Sequence, residues 1–238
     1  MTNLSRITTI SFDVDGTLWD FETTTRGALH EVLEELARID PEAAYALSVD
    51  RMATIRDRVH EQLWGRVTDL DAIREESMRQ ALREAGRPND ALGSYLTQFY
   101  FQRRDRVRTL FPDARPALER LGPHYKLGLL SNGNSRATDL GIEDLVSFQV
   151  FSQDHGAIDK PDPRIFEIAM REAGCGPRQL LHVGDSLEND VMGALKVGVE
   201  PVLFNRNAAG PKPGSVMEIR SLAELPSLLL PQLVMETS

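Results

Sequence analysis

The amino-acid sequence predicts an α/β protein with a mostly parallel sheet and a large helical insertion. Short apolar runs that end at polar turns alternate with stretches in which apolar residues have helical spacing. This alternation is the pattern of βαβ units. Residues 18–108 break the alternation, because they hold long helical patterns and no convincing strand. We therefore expect an all-helical insertion after the first strand.

The apolar runs define the predicted strands. In chain order they are Ile7–Phe12, Tyr125–Leu130, Leu180–Val183 and Pro201–Phe204, with a weaker fifth run at Val146–Phe151. Short runs of this kind, bounded by polar turns, are typical of strands buried on both faces of a parallel sheet.

Capping residues and apolar periodicity define the predicted helices. Asp162 is a suitable N-cap, Pro163 takes the first helical position, and Gly174 follows the end of a helix at Arg164–Ala173. Within the insertion, amphipathic patterns predict two long helices, at Arg26–Arg38 and Leu70–Ala85. The polar stretch Asn205–Ser215 is rich in turn residues and predicts a loop.

Composition excludes several classes of function. The 238 residues include 27 Lys and Arg against 36 Asp and Glu, a formal net charge of −9, so the surface lacks the cations that a nucleic-acid backbone requires. Cys175 is the only cysteine, which rules out an internal disulfide and favours a reducing compartment. No apolar run approaches the roughly 20 residues of a membrane span, and the first ten residues lack a hydrophobic signal core. We expect a cytoplasmic protein without nucleic-acid or membrane partners, and no pattern specifies an oligomeric state.

Two acidic residues follow the first predicted strand, in the sequence Asp13-Val14-Asp15-Gly16-Thr17. Carboxylates at positions i and i+2 of an extended chain point to the same side, and two like charges so placed require a cation or a shared proton. The alternative is a polar turn that closes a strand, since Asp and Gly are common in turns.

The second predicted strand is followed by Ser131, Asn132 and Gly133. A hydroxyl and successive backbone amides in a glycine-containing turn can hold phosphate oxygens, although a plain helix cap explains the same residues. Lys160, one of only four lysines beside 23 arginines, precedes the double-proline helix start at Pro163. It can neutralise an anion there, although a solvated loop lysine is the more common case.

Asp185 closes the third predicted strand, and Asp190 follows in the next segment. Acidic residues at the carboxyl end of a parallel strand are suitable ligands for Mg²⁺, but acid pairs also occur in ordinary surface turns. The four signals gain weight together, because each lies at the carboxyl end of a predicted strand or at the adjoining helix start. Open α/β sheets bind ligands at that edge.

In their order along the chain, these residues resemble the four motifs of the haloacid dehalogenase-like (HAD) superfamily of hydrolases. The matching positions are Asp13–Thr17, Ser131, Lys160, and Asp185 with Asp190. The resemblance implies a Rossmann-like catalytic core at residues 1–17 and 109–238, with helices on both faces of the sheet, and an all-helical cap domain at residues 18–108. Asp113 departs from the family pattern, which usually has glycine there, and this departure concerns the hinge rather than the chemistry.

The resemblance further implies a Mg²⁺-dependent hydrolase of phosphate monoesters that works through a phosphoaspartyl intermediate. Asp13 is the expected nucleophile, and Asp15 the expected general acid and base. The expected metal-binding residues are Asp13, Asp15 through its backbone carbonyl, Asp185, and Asp190 acting indirectly or through water. The expected phosphoryl-binding residues are Ser131, Lys160, Thr17, Asn132 and Gly133.

The expected substrate is a small phosphorylated metabolite, with nucleotides and sugar phosphates among the possibilities. Three aromatic residues, Trp19, Phe21 and Trp64, are candidates for a specificity pocket. Aromatic residues in a helical domain more often belong to its core.

Three other functions remain open: a 2-haloacid dehalogenase, a sugar phosphomutase and, outside enzymes, a phosphoacceptor signalling domain. A dehalogenase expels halide, which needs no proton, so Asp15 favours an oxygen leaving group. Phosphoacceptor domains resemble a compact unit with adjacent acids on the first strand, whereas the acids here are two residues apart and a large insertion follows. A mutase must protect its phosphoaspartate from water, and no residue specifies such protection. The phosphatase is therefore the preferred interpretation.

Overall fold

The computed structural model describes residues 4–207, 214 and 216–235, which divide into two compact units. The sheet unit comprises Met1–Asp20 and Thr109–Ser238, and the helical unit is Phe21–Arg108. Every strand of the described residues lies in the sheet unit. The sequence analysis placed the first boundary after residue 17.

Six parallel strands form one sheet in the sheet unit, in the order β3-β2-β1-β4-β5-β6. They are β1 (Thr9–Phe12), β2 (Lys126–Ser131), β3 (Phe148–Phe151), β4 (Leu180–Gly184), β5 (Glu200–Phe204) and β6 (Met217–Ile219). The first five correspond to the predicted apolar runs, with bounds shifted by a residue or two. The predicted α/β class with a parallel sheet is therefore confirmed. β6 has three residues and too little pattern to be predicted.

β1 lies at the centre of this sheet, and all of its residues are buried. Ile10 pairs in register with Leu127 on β2 and with Leu181 on β4. The next two strands along the chain, β2 and β3, lie on one side of β1, and β4 lies on the other side. The carboxyl ends of β1, β2 and β4 therefore border the point where the strand order reverses, which is the ligand-binding edge of such sheets.

Five α-helices accompany the strands in the described part of the sheet unit. They are α6 (Ala114–Leu121), α7 (Ala137–Leu140), α8 (Pro163–Ala173), α9 (Gly193–Lys196) and α10 (Glu224–Met235). α8 confirms the predicted caps, since Asp162 accepts a hydrogen bond from the Arg164 amide at 2.9 Å and Gly174 adopts a left-handed φ of 68°. A π-helical segment, Leu187–Met192, follows β4.

Asp113, the departure noted in the sequence, anchors the start of α6. Its carboxylate accepts hydrogen bonds from Arg206 Nη2 at 2.7 Å, from Ser221 Oγ at 2.6 Å and from the Leu222 amide at 3.0 Å. A glycine at this position offers none of these bonds. Asp113 therefore links the start of α6 by hydrogen bonds to the segment that precedes α10.

The helical unit consists of five helices around its own apolar core. They are α1 (Phe21–Ile39), α2 (Pro41–Tyr45), α3 (Val49–Leu63), α4 (Leu70–Glu84) and α5 (Asp90–Val107), and they include both predicted helices. Polar N-caps begin most of them: Asp40, Ser48, Asp69 and Asn89 each accept a backbone N–H of the first turn. The buried side chains include Leu36, Ile55, Leu82, Leu96 and Tyr100.

The predicted loop and the expected absence of a membrane span can be compared only with the described residues. The predicted loop Asn205–Ser215 includes residues 208–213 and 215, which lie outside the described ranges. Within those ranges, no helix combines the length and the apolar character that crossing a bilayer requires.

Candidate active site

A polar pocket of about 160 Å³ opens at the carboxyl ends of β1, β2 and β4. It is lined by Asp13, Asp15, Ser131, Asn132, Gly133, Lys160, Asp185, Ser186, Asn189 and Asp190. The structure thus brings together in the pocket lining every residue that the sequence analysis assigned to the site except Thr17, which is buried and contacts Asp13 and Asp185. Pockets for drug-sized ligands measure roughly 300–1,000 Å³. This pocket therefore suits a small polar group rather than a whole metabolite.

Lys160 is the centre of the site and is almost completely buried. Its ammonium group donates to Asp13 Oδ1 and Asp190 Oδ1, each at 2.6 Å, and to the carbonyl oxygen of Leu130 at 2.9 Å. Three acceptors match the three hydrogens of an ammonium group. Although burial alone lowers the pKa of Lys160, the two carboxylates raise it above its usual value. Lys160 is therefore a fixed positive charge.

Asp190 is held by the chain on every side. Its Oδ1 also accepts from His182 Nε2 at 2.9 Å, and its Oδ2 accepts from the Ser186 amide at 2.9 Å. Although burial alone raises the pKa of this carboxyl, Lys160 and then His182 hold it well below its usual range. Asp190 is therefore ionised.

His182 and Ser11 extend this buried chain of polar groups, and the sequence analysis did not identify either. Both are fully buried, and Ser11 Oγ lies 2.8 Å from His182 Nδ1. Burial lowers the pKa of His182, so its ring is neutral. Because the ionised Asp190 accepts from Nε2, Nδ1 must accept from the Ser11 hydroxyl.

Asp13 carries the carboxylate that Lys160 holds on the other side. Burial raises its pKa well above the usual value, and the negative charges of Asp190 and Asp185 add to this effect, whereas Lys160 opposes it. The Asp13 carboxylate is thus a crowded anion that one lysine only partly compensates. A further cation or a proton stabilises such a group.

The Asp15 side chain is positioned by Trp19 and Gly133. The Trp19 indole N–H donates to Asp15 Oδ1 at 2.7 Å, and Trp19 is fully buried. A Cβ atom at Gly133 would overlap Asp15 Oδ2, so only glycine allows this approach. Trp19, a candidate for a specificity pocket, is therefore a buried support for Asp15.

Ser131 and Asn132 form the turn after β2. Ser131 is buried, and its Oγ accepts from the Gly133 amide at 3.1 Å. The Asn132 side chain donates to the Lys160 carbonyl at 3.0 Å and accepts from the Lys160 amide at 2.8 Å. The side chain of Asn132 thus fixes the backbone of Lys160.

A metal ion fits among the carboxylates of this site. Oxygen atoms of Asp13, Asp185 and Asp190 lie within 4.8 Å of one another, which is a suitable set of hard ligands. Desolvation, followed by the charge of Asp190, raises the pKa of Asp185 to about 6 although the residue keeps an exposed surface. The Thr17 hydroxyl lies 3.3 Å from Asp13 Oδ2 and 3.4 Å from Asp185 Oδ1.

The two remaining aromatic candidates belong to the helical unit. Phe21 is the first residue of α1 and is half-buried. Trp64 packs against the core of the helical unit and stacks on His60 with the ring centroids 5.1 Å apart. Its indole nitrogen is buried without a hydrogen-bond partner in the described residues.

Comparisons with known proteins bear on the family and the fold of this chain. A family model of haloacid dehalogenase-like hydrolases matches residues 7–198. The chain is 26% identical over 238 residues, 99% of its own length and 97% of the relative's, to the 5-amino-6-(5-phospho-D-ribitylamino)uracil phosphatase YigB of Escherichia coli K12. A solved 2-haloacid dehalogenase from Pseudomonas syringae pv. Tomato DC3000 is 29% identical, with a TM-score of 0.77 over 94% of this chain and 99% of that one. A structure of the HAD-hydrolase YfnB from Bacillus subtilis bound to magnesium is 25% identical, with a TM-score of 0.74 over the same shares.

The match begins just before β1, ends just before β5, and includes every motif residue that the sequence analysis selected. The resemblance stated from those residues is confirmed. This chain belongs to the haloacid dehalogenase-like family of hydrolases.

Proposed function

We propose that this hydrolase is a Mg²⁺-dependent phosphatase of small phosphomonoesters that forms a phosphoaspartyl intermediate at Asp13. The observation that carries the proposal is the second carboxylate, Asp15, held at the edge of the same pocket by Trp19. An oxygen leaving group requires a proton, and a carboxyl group placed next to the nucleophile can supply it.

The reaction divides into two displacements at phosphorus. In the first, a carboxylate oxygen of Asp13 attacks, the bond to the leaving oxygen breaks, and Asp15 donates its proton to that oxygen. In the second, Asp15 removes a proton from water, the water oxygen bonds to phosphorus, and the bond to Asp13 breaks. Inorganic phosphate is released and both carboxylates return to their starting states.

The phosphoryl group requires donors around its oxygens. Ser131, Asn132 and Gly133 line the pocket with Asp13, and their proposed donors are the backbone amides of the turn and the Ser131 hydroxyl. Lys160 offsets the negative charge that accumulates as phosphate approaches the carboxylates. Thr17 is fully buried beside two carboxylates, so within this proposal it orients them.

Asp13, Asp185 and the backbone carbonyl of Asp15 are the proposed ligands of Mg²⁺. Asp190 acts indirectly, because Lys160, His182 and the Ser186 amide already occupy its oxygens. Bound Mg²⁺ supplies positive charge that the phosphoryl oxygens and the crowded carboxylates both need. The magnesium in the related YfnB structure supports this choice of ion.

The substrate is proposed to be a small phosphorylated metabolite. The Escherichia coli relative is named as a phosphatase of a phosphate ester of this kind. The pocket of about 160 Å³ accommodates the reacting group. A panel of nucleotide and sugar phosphates is therefore the appropriate substrate screen.

The test compares p-nitrophenyl phosphate with a 2-haloacid, with and without Mg²⁺. We expect phosphate release that requires Mg²⁺ and no halide release. Asp13→Asn is expected to abolish turnover, because an amide does not attack phosphorus. Asp144→Asn, a change of the same kind at an exposed position of the sheet unit, is the matched control. Halide release without metal would overturn the assignment.

A further inference from the structure

A series of buried polar side chains, here called the polar network, connects the middle of the sheet to the proposed nucleophile. Ser11 on β1 and His182 on β4 are partners in register, and Asp13 follows Ser11 by two residues. The contacts of the network are Ser11 Oγ to His182 Nδ1 at 2.8 Å, His182 Nε2 to Asp190 Oδ1 at 2.9 Å, and Lys160 Nζ to Asp190 Oδ1 and to Asp13 Oδ1, each at 2.6 Å. The network thus leaves β1 at Ser11 and returns to the residue that follows this strand.

Packing alone does not explain a histidine at position 182. Its neighbours on β4, Leu181 and Val183, are apolar, and all three side chains are fully buried. A buried polar ring costs free energy unless its nitrogens are hydrogen-bonded, whereas an apolar side chain has no such requirement. Both ring nitrogens have a partner, and the ring of Phe166 packs edge-on against the imidazole with the centroids 5.3 Å apart. The position and the orientation of the His182 ring are therefore fixed.

Two carboxylates share the ammonium group of Lys160. The contacts to Asp13 and Asp190 have equal lengths, and the third hydrogen bond goes to the carbonyl oxygen of Leu130. Asp190 is the more deeply buried of the two carboxylates. An ammonium group between two anions moves toward the one that is less compensated by other donors. The N–H of His182 is a second donor to Asp190 Oδ1, so Asp190 does not draw Lys160 away from Asp13.

We propose that His182 is a positioning residue of this site, which holds Asp190 so that Lys160 stays in contact with the Asp13 carboxylate. His182 does not line the described pocket, so it acts through Asp190 and Lys160. Residues that hold the groups of a metal site change metal affinity or activity by roughly 10–100-fold when they are replaced. The effect on catalysis rests on the proposed phosphatase function, whereas the coupling of His182 to Lys160 does not.

Two amide variants separate the hydrogen bond from the packing. In His182→Gln the amide nitrogen reaches the position of Nε2 and keeps a donor to Asp190, whereas in His182→Asn it reaches only the position of Nδ1. With p-nitrophenyl phosphate and Mg²⁺, we expect His182→Asn to lower kcat about tenfold and His182→Gln to stay within about twofold of the wild type. A purely structural role would lower kcat of both variants in step with Tm. His124→Asn, the same change at an exposed histidine of the sheet unit, is the control.

A second arm measures the coupling without substrate or metal. The protein is labelled with ¹⁵N-histidine, and among the signals of its five histidines the one that His182→Gln removes belongs to His182. Lys160→Met removes the other donor to Asp190 Oδ1, so the remaining hydrogen bond from His182 strengthens. The proton on Nε2 should then shift downfield. Lys196→Met, a change of the same kind at an exposed lysine, should leave this proton signal where it is.

Equal kcat values of the two amide variants would overturn the proposal, and so would an unmoved His182 proton in Lys160→Met. If an amide variant does not fold, Ser11→Ala replaces it, because the hydroxyl orients the ring, and a wild-type kcat of that variant overturns the proposal equally. Lys160→Gln replaces Lys160→Met in the same way. If the wild type hydrolyses no phosphomonoester, the phosphatase assignment fails, and the proton signal then decides the coupling of His182 by itself.

Discussion

Replacing Lys160 by Met removes the one cation that joins two buried carboxylates. The side chains of Lys160, Asp13 and Asp190 are only 2%, 9% and 2% exposed. Methionine has a similar volume, so the change leaves little cavity and isolates the electrostatic effect. Asp13 loses its ammonium partner, and Asp190 keeps only His182 and the Ser186 amide.

The expected cost is about 4 kcal/mol, since removing one partner of a buried ion pair costs roughly 3–5 kcal/mol. For a protein of this size such a loss lowers Tm by roughly 10 °C. The cost depends on pH, because burial raises the pKa of Asp13. A carboxyl group whose pKa is raised in the folded state destabilises the fold increasingly as the pH rises from its unfolded pKa to its folded pKa. The deficit of Lys160→Met should therefore be larger at pH 8 than at pH 5.

Thermal melting followed by fluorescence measures this effect in a Trp64→Phe background. The chain has two tryptophans, so Trp19 then reports on the sheet unit alone. Lys196→Met is the matched control, because Lys196 is exposed. Adding Asp13→Asn to Lys160→Met should recover part of the loss by removing one unpaired charge. A loss below about 1 kcal/mol at pH 8, well under the range for a broken buried pair, would refute the reasoning.

Three further changes test other contacts of the site. Desolvation raises the pKa of Asp185 from 3.8 to about 6, so this group destabilises the metal-free fold increasingly as the pH rises through that window and fully above it. In EDTA, Asp185→Asn should stabilise the protein by about 1 kcal/mol at pH 7.5, after a discount for solvent screening, and by progressively less as the pH falls from about 6 towards 3.8; equal melting shifts at the two ends of this window would contradict this. Gly133→Ala should lower kcat/KM for p-nitrophenyl phosphate by about 100-fold through displacement of Asp15, whereas Gly27→Ala, whose Cβ meets no neighbour within 4 Å, should not. Trp19→Phe removes the hydrogen bond to Asp15 and should lower kcat more than it changes KM, and an unchanged kcat would show that Asp15 needs no such support.

The sequence predicts well those features that depend on local pattern. The strands β1, β2, β4 and β5 are short apolar runs, because a central parallel strand is buried on both faces. Lys160 is recognisable because lysine is rare in this chain and stands before a double-proline helix start. α10 is harder to detect, since prolines at positions 226 and 231 argue against a helix.

Contacts between distant residues are what the sequence does not reveal. His182 lies inside an apolar strand run, where an imidazole resembles a core residue, and only the fold brings it to Asp190 and Ser11. Trp19 satisfies both interpretations of a buried aromatic residue, because its ring is fully buried while its N–H holds Asp15. His182 and Trp19 have one property in common: each is a buried residue with a polar atom. Such an atom requires a hydrogen-bond partner, and the sequence alone does not identify that partner.

The central position of β1 has a consequence for synthesis of the protein. β1 ends at Phe12, whereas its neighbours β2 and β4 begin at Lys126 and Leu180, more than 100 residues later. At 5–20 residues per second, a ribosome takes roughly 10 s to cover that distance. All residues of the helical unit emerge during this interval, while β1 remains an apolar segment without a partner strand. The nascent chain therefore leaves this strand, which is buried at every residue in the folded protein, without partners for longest, and this segment is where a chaperone has most to protect.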